Sequence, residues 1–327
     1  MNIIIGIDVS KAKLDVAWVR SVETGKLKTK VFENTPKGHQ NVVDWVEKNA
    51  QVTAEQMHFV MEATGVYYEA LAYSLVSAGV KVSVVNPAWA RDYARSLGTR
   101  SKTDKKDSVA IARYGMTHDL KLWQPEAPEV RELKALLARL QAVEKDIQRE
   151  LNRLEKAQIS ATSEHVIVSI EGVLETLRAE KQRLEDLIKQ HFDQHPGLKK
   201  DVTLLETIPG IGEVLSRLMT SVIRSRDFKT AAECAAYTGL VPIHHESGSS
   251  VRGKPMLSKA GNPLIRAKLY MGAVVAIRYN PDVRALYERL LRKGKSKMVA
   301  LCAAMRKLVH ICFGVLKHQK PYLEQTA

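Results

Sequence analysis

The chain is 327 residues long and 45% hydrophobic, longer than one ordinary core requires and with the apolar share of a soluble globular protein. Lys and Arg number 50 against 36 Asp and Glu, a formal net charge of +14 that disfavours a small-metabolite enzyme and points to a polyanionic partner, nucleic acid before membrane. A membrane-spanning protein is excluded on this reading, because no apolar run approaches the roughly 20 residues a spanning helix needs.

In chain order, the first third alternates strand and helix signals. Ile3–Ser10 reads as a buried strand ending in polar residues, Leu14–Val19 as a second strand and Leu27–Phe32 as a third. Asn34–Gly38 is a turn cluster, and Gln40–Lys48 carries Val42, Val43, Trp45 and Val46 at helical spacing. His58–Glu62 is a strand with an acid at its end. Tyr67–Ala78 is a helix closed by Gly79, Val80–Val85 a strand stopped by Asn86 and Pro87, and Asp104–Met116 a helix. The pattern is α/β and opens on an antiparallel hairpin.

From Glu129 to Phe192, glycine is almost absent and charge is dense. Leu133, Leu140, Ile147 and Leu154 recur every seven residues, with Leu137 and Leu151 beside them. Ile170, Leu177 and Leu184 repeat that period after a break around Ser160–Ser163. The spacing predicts two long helices or an antiparallel coiled coil. Heptads specify association but not the partner, so pairing within one chain and dimerisation both fit. From Lys199 onward the chain reads as helical, with Gly/Ser-rich punctuation between Glu246 and Pro263. Met1–Ile7 lacks the basic region and cleavage site of a secretory leader. Cys234, Cys302 and Cys312 show no paired spacing, so a reducing cytoplasm is expected.

Four acids stand out in the first third. Asp8 and Glu62 each end an apolar strand, where a carboxylate is exposed on a rigid backbone. Asp104 and Asp107, three apart, share a helix face. Oxygen-only ligands suit Mg²⁺ or Mn²⁺, the ions that assist phosphoryl transfer. Taken singly, Asp104 is more readily a helix cap. The order strand-Asp with a hairpin, strand-Glu, helix-Asp is the layout of ribonuclease H-like nucleases.

Two further segments carry candidate chemistry. Ile208-Pro209-Gly210-Ile211-Gly212, before an apolar helix, resembles a helix-hairpin-helix. There Gly210 and Gly212 admit a phosphate to backbone N–H groups, although a tight helix–helix turn would use the same residues. Between Glu246 and Pro263, Ser247, Ser249 and Ser250 sit among glycines with Arg252, Lys254, Lys259 and Arg266 close by. Such a loop binds phosphate, and one of its hydroxyls can serve as a nucleophile; composition alone does not select one. Lys102 and Lys105, beside the acidic pair, are candidate nucleic-acid contacts. Neighbouring His244 and His245 lack zinc spacing and are read as structural, and Tyr67 and Tyr68 as packing of a helix start.

Gly6-Ile7-Asp8-Val9-Ser10-Lys11, Glu62-Ala63-Thr64-Gly65, Lys102 to Asp107, Ile208 to Gly212, Glu246 to Ser250 and Ser258-Lys259-Ala260-Gly261 occur in one order. Together they resemble the IS-one-ten family of insertion-sequence transposases, over nearly the whole chain. The resemblance implies a RuvC-like (ribonuclease H-like) domain over 1–125 with Asp8, Glu62, Asp104 and Asp107 as its metal site. A coiled-coil connector over 126–198 and a helical transposase domain over 199–327 would follow, with Ser247 as nucleophile. It further implies a structured noncoding bridge RNA that pairs with target and donor DNA. Its members form homo-oligomers, dimer to tetramer, with acids and serine of different protomers completing one site. Cytoplasmic action on DNA follows. A DNA invertase of the same family, a Holliday-junction nuclease using water, and a non-catalytic architectural protein are the rival readings.

Overall fold

The computed structural model describes residues 3–21, 24–96, 104–243, 246–247, 251–252, 256–258 and 260–324; at Asp104, Lys105, Glu246, Ser247, Val251 and Arg252 it describes the backbone only. The chain folds as two compact units, Met1–Pro125 and Glu126–Ala327.

The first unit is built on β1 (Ile3–Val9), β2 (Lys13–Val19), β3 (Leu27–Glu33), β4 (Met57–Glu62) and β5 (Lys81–Val85). Their order in the sheet is β3-β2-β1-β4-β5. The first three strands pair antiparallel, whereas β1–β4 and β4–β5 are parallel, the ribonuclease H-like arrangement expected from the sequence. Period-two alternation divides the residues between two faces. On one, Ile5, Ile7, Val9, Leu14, Val16, Phe59 and Met61 pack beneath α1 (Pro36–Ala50) and α2 (Glu69–Ser77) through Val42, Val46, Leu71 and Leu75. On the other, Val60 and Val85 meet α3 (Pro87–Ser96) and α4 (Asp104–Thr117) through Ala90, Ile111 and Tyr114.

Two of these helices start where the sequence suggested only turns. Thr35 caps α1, its hydroxyl accepting from the Gly38 N–H, with Pro36 in the first turn. Pro87, read as a strand stop, instead opens α3, because proline at a first helical position sacrifices no hydrogen bond.

The second unit is helical: α5 (Pro128–Ile159), α6 (Glu164–Gln194), α7 (Pro196–Glu206), α8 (Glu213–Arg224), α9 (Ala231–Tyr237), α10 (Pro263–Tyr279), α11 (Pro281–Arg292) and α12 (Lys297–His318). The two heptad runs are α5 and α6, broken where expected, and they pair within one chain. Val130 and Leu133 at the start of α5 pack on Ile188 and Phe192 at the end of α6, so the hairpin is antiparallel. Farther along, Leu140, Ile147, Leu151 and Leu154 are only half-buried.

Helices α7 to α12 enclose a core in which α12 is central, burying Ala304, Leu308, Val309, Cys312 and Leu316 among others. This corrects one expectation. The sequence does contain a helix long and apolar enough to cross a membrane, α12, with a mean hydropathy of 1.8 over its most apolar 18 residues. Its apolar character serves this interior: a helix packed on several sides needs few polar positions.

Between α9 and α10 the described residues form two short antiparallel pairs. Here β6 (Pro242–Ile243) pairs with β9 (Met256–Leu257), and β7 (Glu246–Ser247) pairs with β8 (Val251–Arg252).

Candidate active site

Asp8 and Glu62 are brought together by strand register. Ile7 of β1 is opposite Met61 of β4, both facing α1 and α2. The next residue on each strand is therefore Asp8 beside Glu62, turned to the α4 face, with neighbouring strands about 4.8 Å apart. Across β1–β2, Asp8 pairs with Asp15. Asp15 is 8% exposed and lies 3.4 Å from the Lys13 ammonium. Three adjacent strands thus present Asp15, Asp8 and Glu62 as one row. Asp15 escaped the sequence reading because strand β2 is otherwise apolar and its acid is internal, not terminal. The usable signal was the two-residue step of Lys13 and Asp15 on one face.

The glycines show how α4 lies on this row. A Cβ on Gly115 would come within 2.9 Å of Ile4 Cγ2, and one on Gly6 within 2.2 Å of the Ser108 carbonyl oxygen and 2.4 Å of the Ala112 nitrogen. Two residues along the strand correspond to a little more than one helical turn. Continuing that step from Gly6 to Asp8 leads to the first turn of α4, where Asp104 and Asp107 stand. Small residues at the crossing allow helix and strand to approach closely and fix this alignment.

Asp107 and Glu62 both line a cleft of about 570 Å³, together with Thr64, Arg91, Arg95 and Lys106. The Thr64 hydroxyl donates to Glu62 Oε1 at 2.6 Å, orienting that carboxylate. Arg91 and Arg95, one turn apart on α3, bring positive charge that sequence reading did not assign, because α3 itself was not anticipated. Among the described residues no three acidic, histidine or cysteine side chains come together closely enough to hold a metal ion. The Asp104 side chain lies outside the described residues, and so do Lys102 and the side chain of Lys105.

In the second unit, Gly210 and Gly212 do different work. Gly210 has φ +101°, and a Cβ there would meet Ala276 Cβ at 2.7 Å and the Gly272 carbonyl at 2.8 Å on α10. Its missing side chain serves that internal contact. Gly212 is the exposed N-cap of α8. Near that N-terminus Glu213 pairs with Arg217, Glu206 Oε1 accepts from the Ser216 hydroxyl at 3.0 Å, and Lys189 and Lys199 line the same recess.

The hairpin that carries Ser247 is held at both feet by arginines from the helical core. Arg266 on α10 donates from Nη1 to the Gly261 carbonyl at 2.6 Å, and Arg306 on α12 donates to the Leu240 carbonyl at 3.0 Å. The feet themselves cross closely: a Cβ on Gly261 would sit 2.3 Å from the Tyr237 carbonyl. Arg266, expected as a nucleic-acid contact, is thus engaged with backbone inside the protein. The side chains of Ser247 and Arg252, and all of His244, His245, Lys254 and Lys259, lie outside the described residues. Tyr68 packs at the start of α2, as expected, and Tyr67 is exposed.

Two family models match the chain, one described as "Transposase" over residues 5–158 and one as "Transposase IS116/IS110/IS902 family" over 202–288. A pilin gene-inverting protein of Moraxella bovis is 32% identical over 324 residues, covering 97% of each chain. The uncharacterized protein of insertion element IS110 from Streptomyces coelicolor is 26% identical over 159 residues, 48% of this chain and 38% of that one. Thermus thermophilus RuvC overlays 37% of this chain and 99% of its own at a TM-score of 0.26 and 17% identity. The class these sequence matches define is that of DNA-recombining enzymes, the transposases. Within it, the chain belongs to the IS116/IS110/IS902 family.

Proposed function

We propose that the protein cuts and rejoins DNA through a covalent phosphoserine at Ser247, with Asp8, Glu62, Asp104 and Asp107 as its metal site and a bridge RNA choosing the DNA sites. The observation that supports this reading best is the adjacency of Asp8 and Glu62 on the face that α4 covers, with Asp107 in the same cleft as Glu62. An all-oxygen donor set of this kind suits Mg²⁺ or Mn²⁺. A bound divalent ion would supply charge neutralisation for the attacking and leaving oxygens of the phosphodiester.

The chain's own groups do the rest. The Ser247 Oγ attacks phosphorus, an Oγ–P bond forms, and the bond from phosphorus to one deoxyribose oxygen breaks. The serine proton passes to a base and the leaving oxygen takes one up. Rejoining reverses these steps with the hydroxyl of another strand. The ester conserves the phosphodiester bond, so no nucleotide hydrolysis is required. Arg266 and Arg306 hold the hairpin feet and so restrict where Ser247 travels. Arg252, Lys254 and Lys259 hold nonbridging phosphate oxygens, and Lys102 and Lys105 bind backbone beside the acids. The long α5–α6 hairpin is the connector, and its half-buried leucines associate protomers into dimers or tetramers in the cytoplasm.

A second outcome, inversion in place of transposition, is favoured by the end-to-end match to the Moraxella inverting protein. Both outcomes use the same cutting chemistry. Denaturing electrophoresis of labelled DNA after reaction with protein, RNA and Mg²⁺ tests that chemistry. Wild type should leave DNA bonded to protein. Ser247→Ala should bind DNA normally and leave none, whereas Ser249→Ala and Ser250→Ala retain adduct. An adduct on Ser247→Ala moves the nucleophile elsewhere, and wild-type cutting with free ends indicates water.

A further inference from the structure

We infer that Arg91 and Arg95 of α3 contact the substrate: from one wall of the acidic cleft, their guanidinium groups hold the nonbridging oxygens of the DNA phosphate that is cut. The inference rests on the reading of this cleft as the cutting site, and not on whether serine or water attacks.

Strand register puts α3 beside the acids. Glu62 pairs with Val85 across β4–β5, and the Ala63 N–H donates to the Val85 carbonyl at 3.1 Å. Helix α3 starts just beyond, at Pro87, where the Asn86 side chain accepts from the Ala88 N–H at 2.9 Å. The helix therefore leaves the carboxyl end of the sheet next to Glu62, the place where open α/β sheets bind ligands. Its residues Pro87, Ala90, Arg91, Ala94 and Arg95 line the cleft, and at these spacings they form a single helical face.

The same helix is anchored to its neighbours. Ala90 is buried against Val60, Val85 and Ile111, and the Tyr93 ring meets that of Tyr114 on α4 edge to face at 5.5 Å. Arginines carried on an element fixed in this way start from a defined position, as a site that holds a reacting group requires.

The cations of α3 do not neutralise the acids they face. Among the described residues, the charged groups lining the cleft are Glu62, Asp107, Arg91, Arg95 and Lys106. Among those residues, too, Arg91 makes no ion pair or hydrogen bond, and the Arg95 ion pair is with Asp92 on its own helix. That pair spans 3.6 Å with side chains 73% and 69% exposed, so it contributes little and is readily exchanged for a ligand. The Glu62 carboxylate takes its hydrogen bond from Thr64 instead. Arginines kept for structure alone would bridge to these acids. A cleft of about 570 Å³ that holds carboxylates and guanidinium groups apart suits a ligand that needs both, a phosphodiester seated between metal-binding acids and planar, fork-shaped donors. As charge grows on its oxygens during attack, donors already in place stabilise it.

The test replaces Arg91 and Arg95 together with glutamine in the full-length protein, and together with lysine as the charge-keeping variant. Cutting of end-labelled duplex DNA is followed with RNA and Mg²⁺ at saturating protein, counting adducts and free ends alike. The glutamine variant should cut on the order of 100-fold more slowly, the effect of losing a charge-stabilising donor. The lysine variant should recover part of that rate, since it restores charge without the fork. A neutral methylphosphonate at the mapped cutting position separates contact from support of the helix. With no phosphate charge left to stabilise, the deficit of the glutamine variant relative to wild type should shrink to less than about tenfold on this DNA. A binding arm needs no cutting. For a random-sequence duplex, the slope of log affinity against log salt should fall by roughly 0.9 for each phosphate that the glutamine variant no longer neutralises, and should stay at the wild-type value with lysine. A folded glutamine variant overturns the inference if it cuts at wild-type rate or keeps the wild-type salt slope on duplex DNA. So does a deficit of equal size on phosphate and methylphosphonate DNA, which makes the arginines supports of the helix, or a reduced slope for an RNA hairpin with duplex binding unchanged. The underlying reading fails by a different result, wild-type cutting by Asp8→Asn and Asp107→Asn.

Discussion

Replacing Gly6 with alanine should separate α4 from the sheet and thereby pull the acidic cluster apart. The added methyl would lie 2.2 Å from the Ser108 carbonyl oxygen, 2.4 Å from the Ala112 nitrogen and 2.9 Å from the Ala112 Cα. All three atoms are backbone of one helix, so no side-chain rotation relieves the clash. Reaching ordinary separation near 3.4 Å from 2.2 Å requires α4 to recede by about 1.2 Å, the difference of the two distances. Overpacking of this kind costs about 1–3 kcal/mol of stability. The same recession carries Asp107 away from Asp8 and Glu62, and misplacement by about 1 Å in a catalytic arrangement lowers rate on the order of 100-fold. Stability is read from the urea midpoint, and activity from strand exchange per folded molecule. A variant with wild-type midpoint refutes the close approach of α4. A destabilised variant with wild-type exchange per folded molecule refutes the role of that helix in aligning the acids.

Other expectations follow from the same geometry. Asp8→Asn and Asp107→Asn keep shape and remove charge, so they should abolish Mg²⁺-dependent recombination while folding and nucleic-acid binding persist; either variant at near wild-type rate counts against the metal site. Leu140→Asp with Ile147→Asp places charge in the half-buried part of the α5–α6 seam. It should shrink the assemblies seen by light scattering, and unchanged size in a folded protein means that these half-buried residues make no contact between protomers. Arg266→Lys keeps charge but loses the planar donor, whereas Arg266→Gln keeps a donor without charge. If Arg266 holds the hairpin foot, the salt dependence of DNA binding should be unchanged in both, with exchange slowed roughly tenfold in proportion to the removal of one charge-assisted hydrogen bond; a reduced salt slope in the glutamine variant alone would return Arg266 to phosphate binding.

The sheet and its acids were legible because alternation does two jobs at once. Ile5, Ile7 and Val9 announce a strand and, by the same parity, turn Asp8 to the other face. The break between the heptad runs was legible because the leucine period stops at Ser160–Ser163. What the runs pair with was not, since an apolar seam is indifferent to whether its partner is covalently connected; the short connection from Ile159 to Glu164 settled it. Helix α3 was hidden by Pro87, a residue that ends one element and begins another with equal ease. The hairpin around Ser247 was hidden because its strands are two residues long, below the length at which period two is visible. Gly210 was read for a phosphate because approach to a ligand and approach to α10 make the same demand on a side chain.

The crossing of Gly239 and Gly261, with Arg266 and Arg306 fastened to the chain on either side, gives the hairpin a foundation separate from its span. The helical core contacts the feet and Leu257 of β9, whereas among the described residues β7 and β8 pair only with each other. The hairpin is therefore an exchangeable cassette. A segment of different length or sequence between residues 243 and 256 can be grafted from a relative without repacking the interior, provided Leu257, the two glycines and two arginines stay in place.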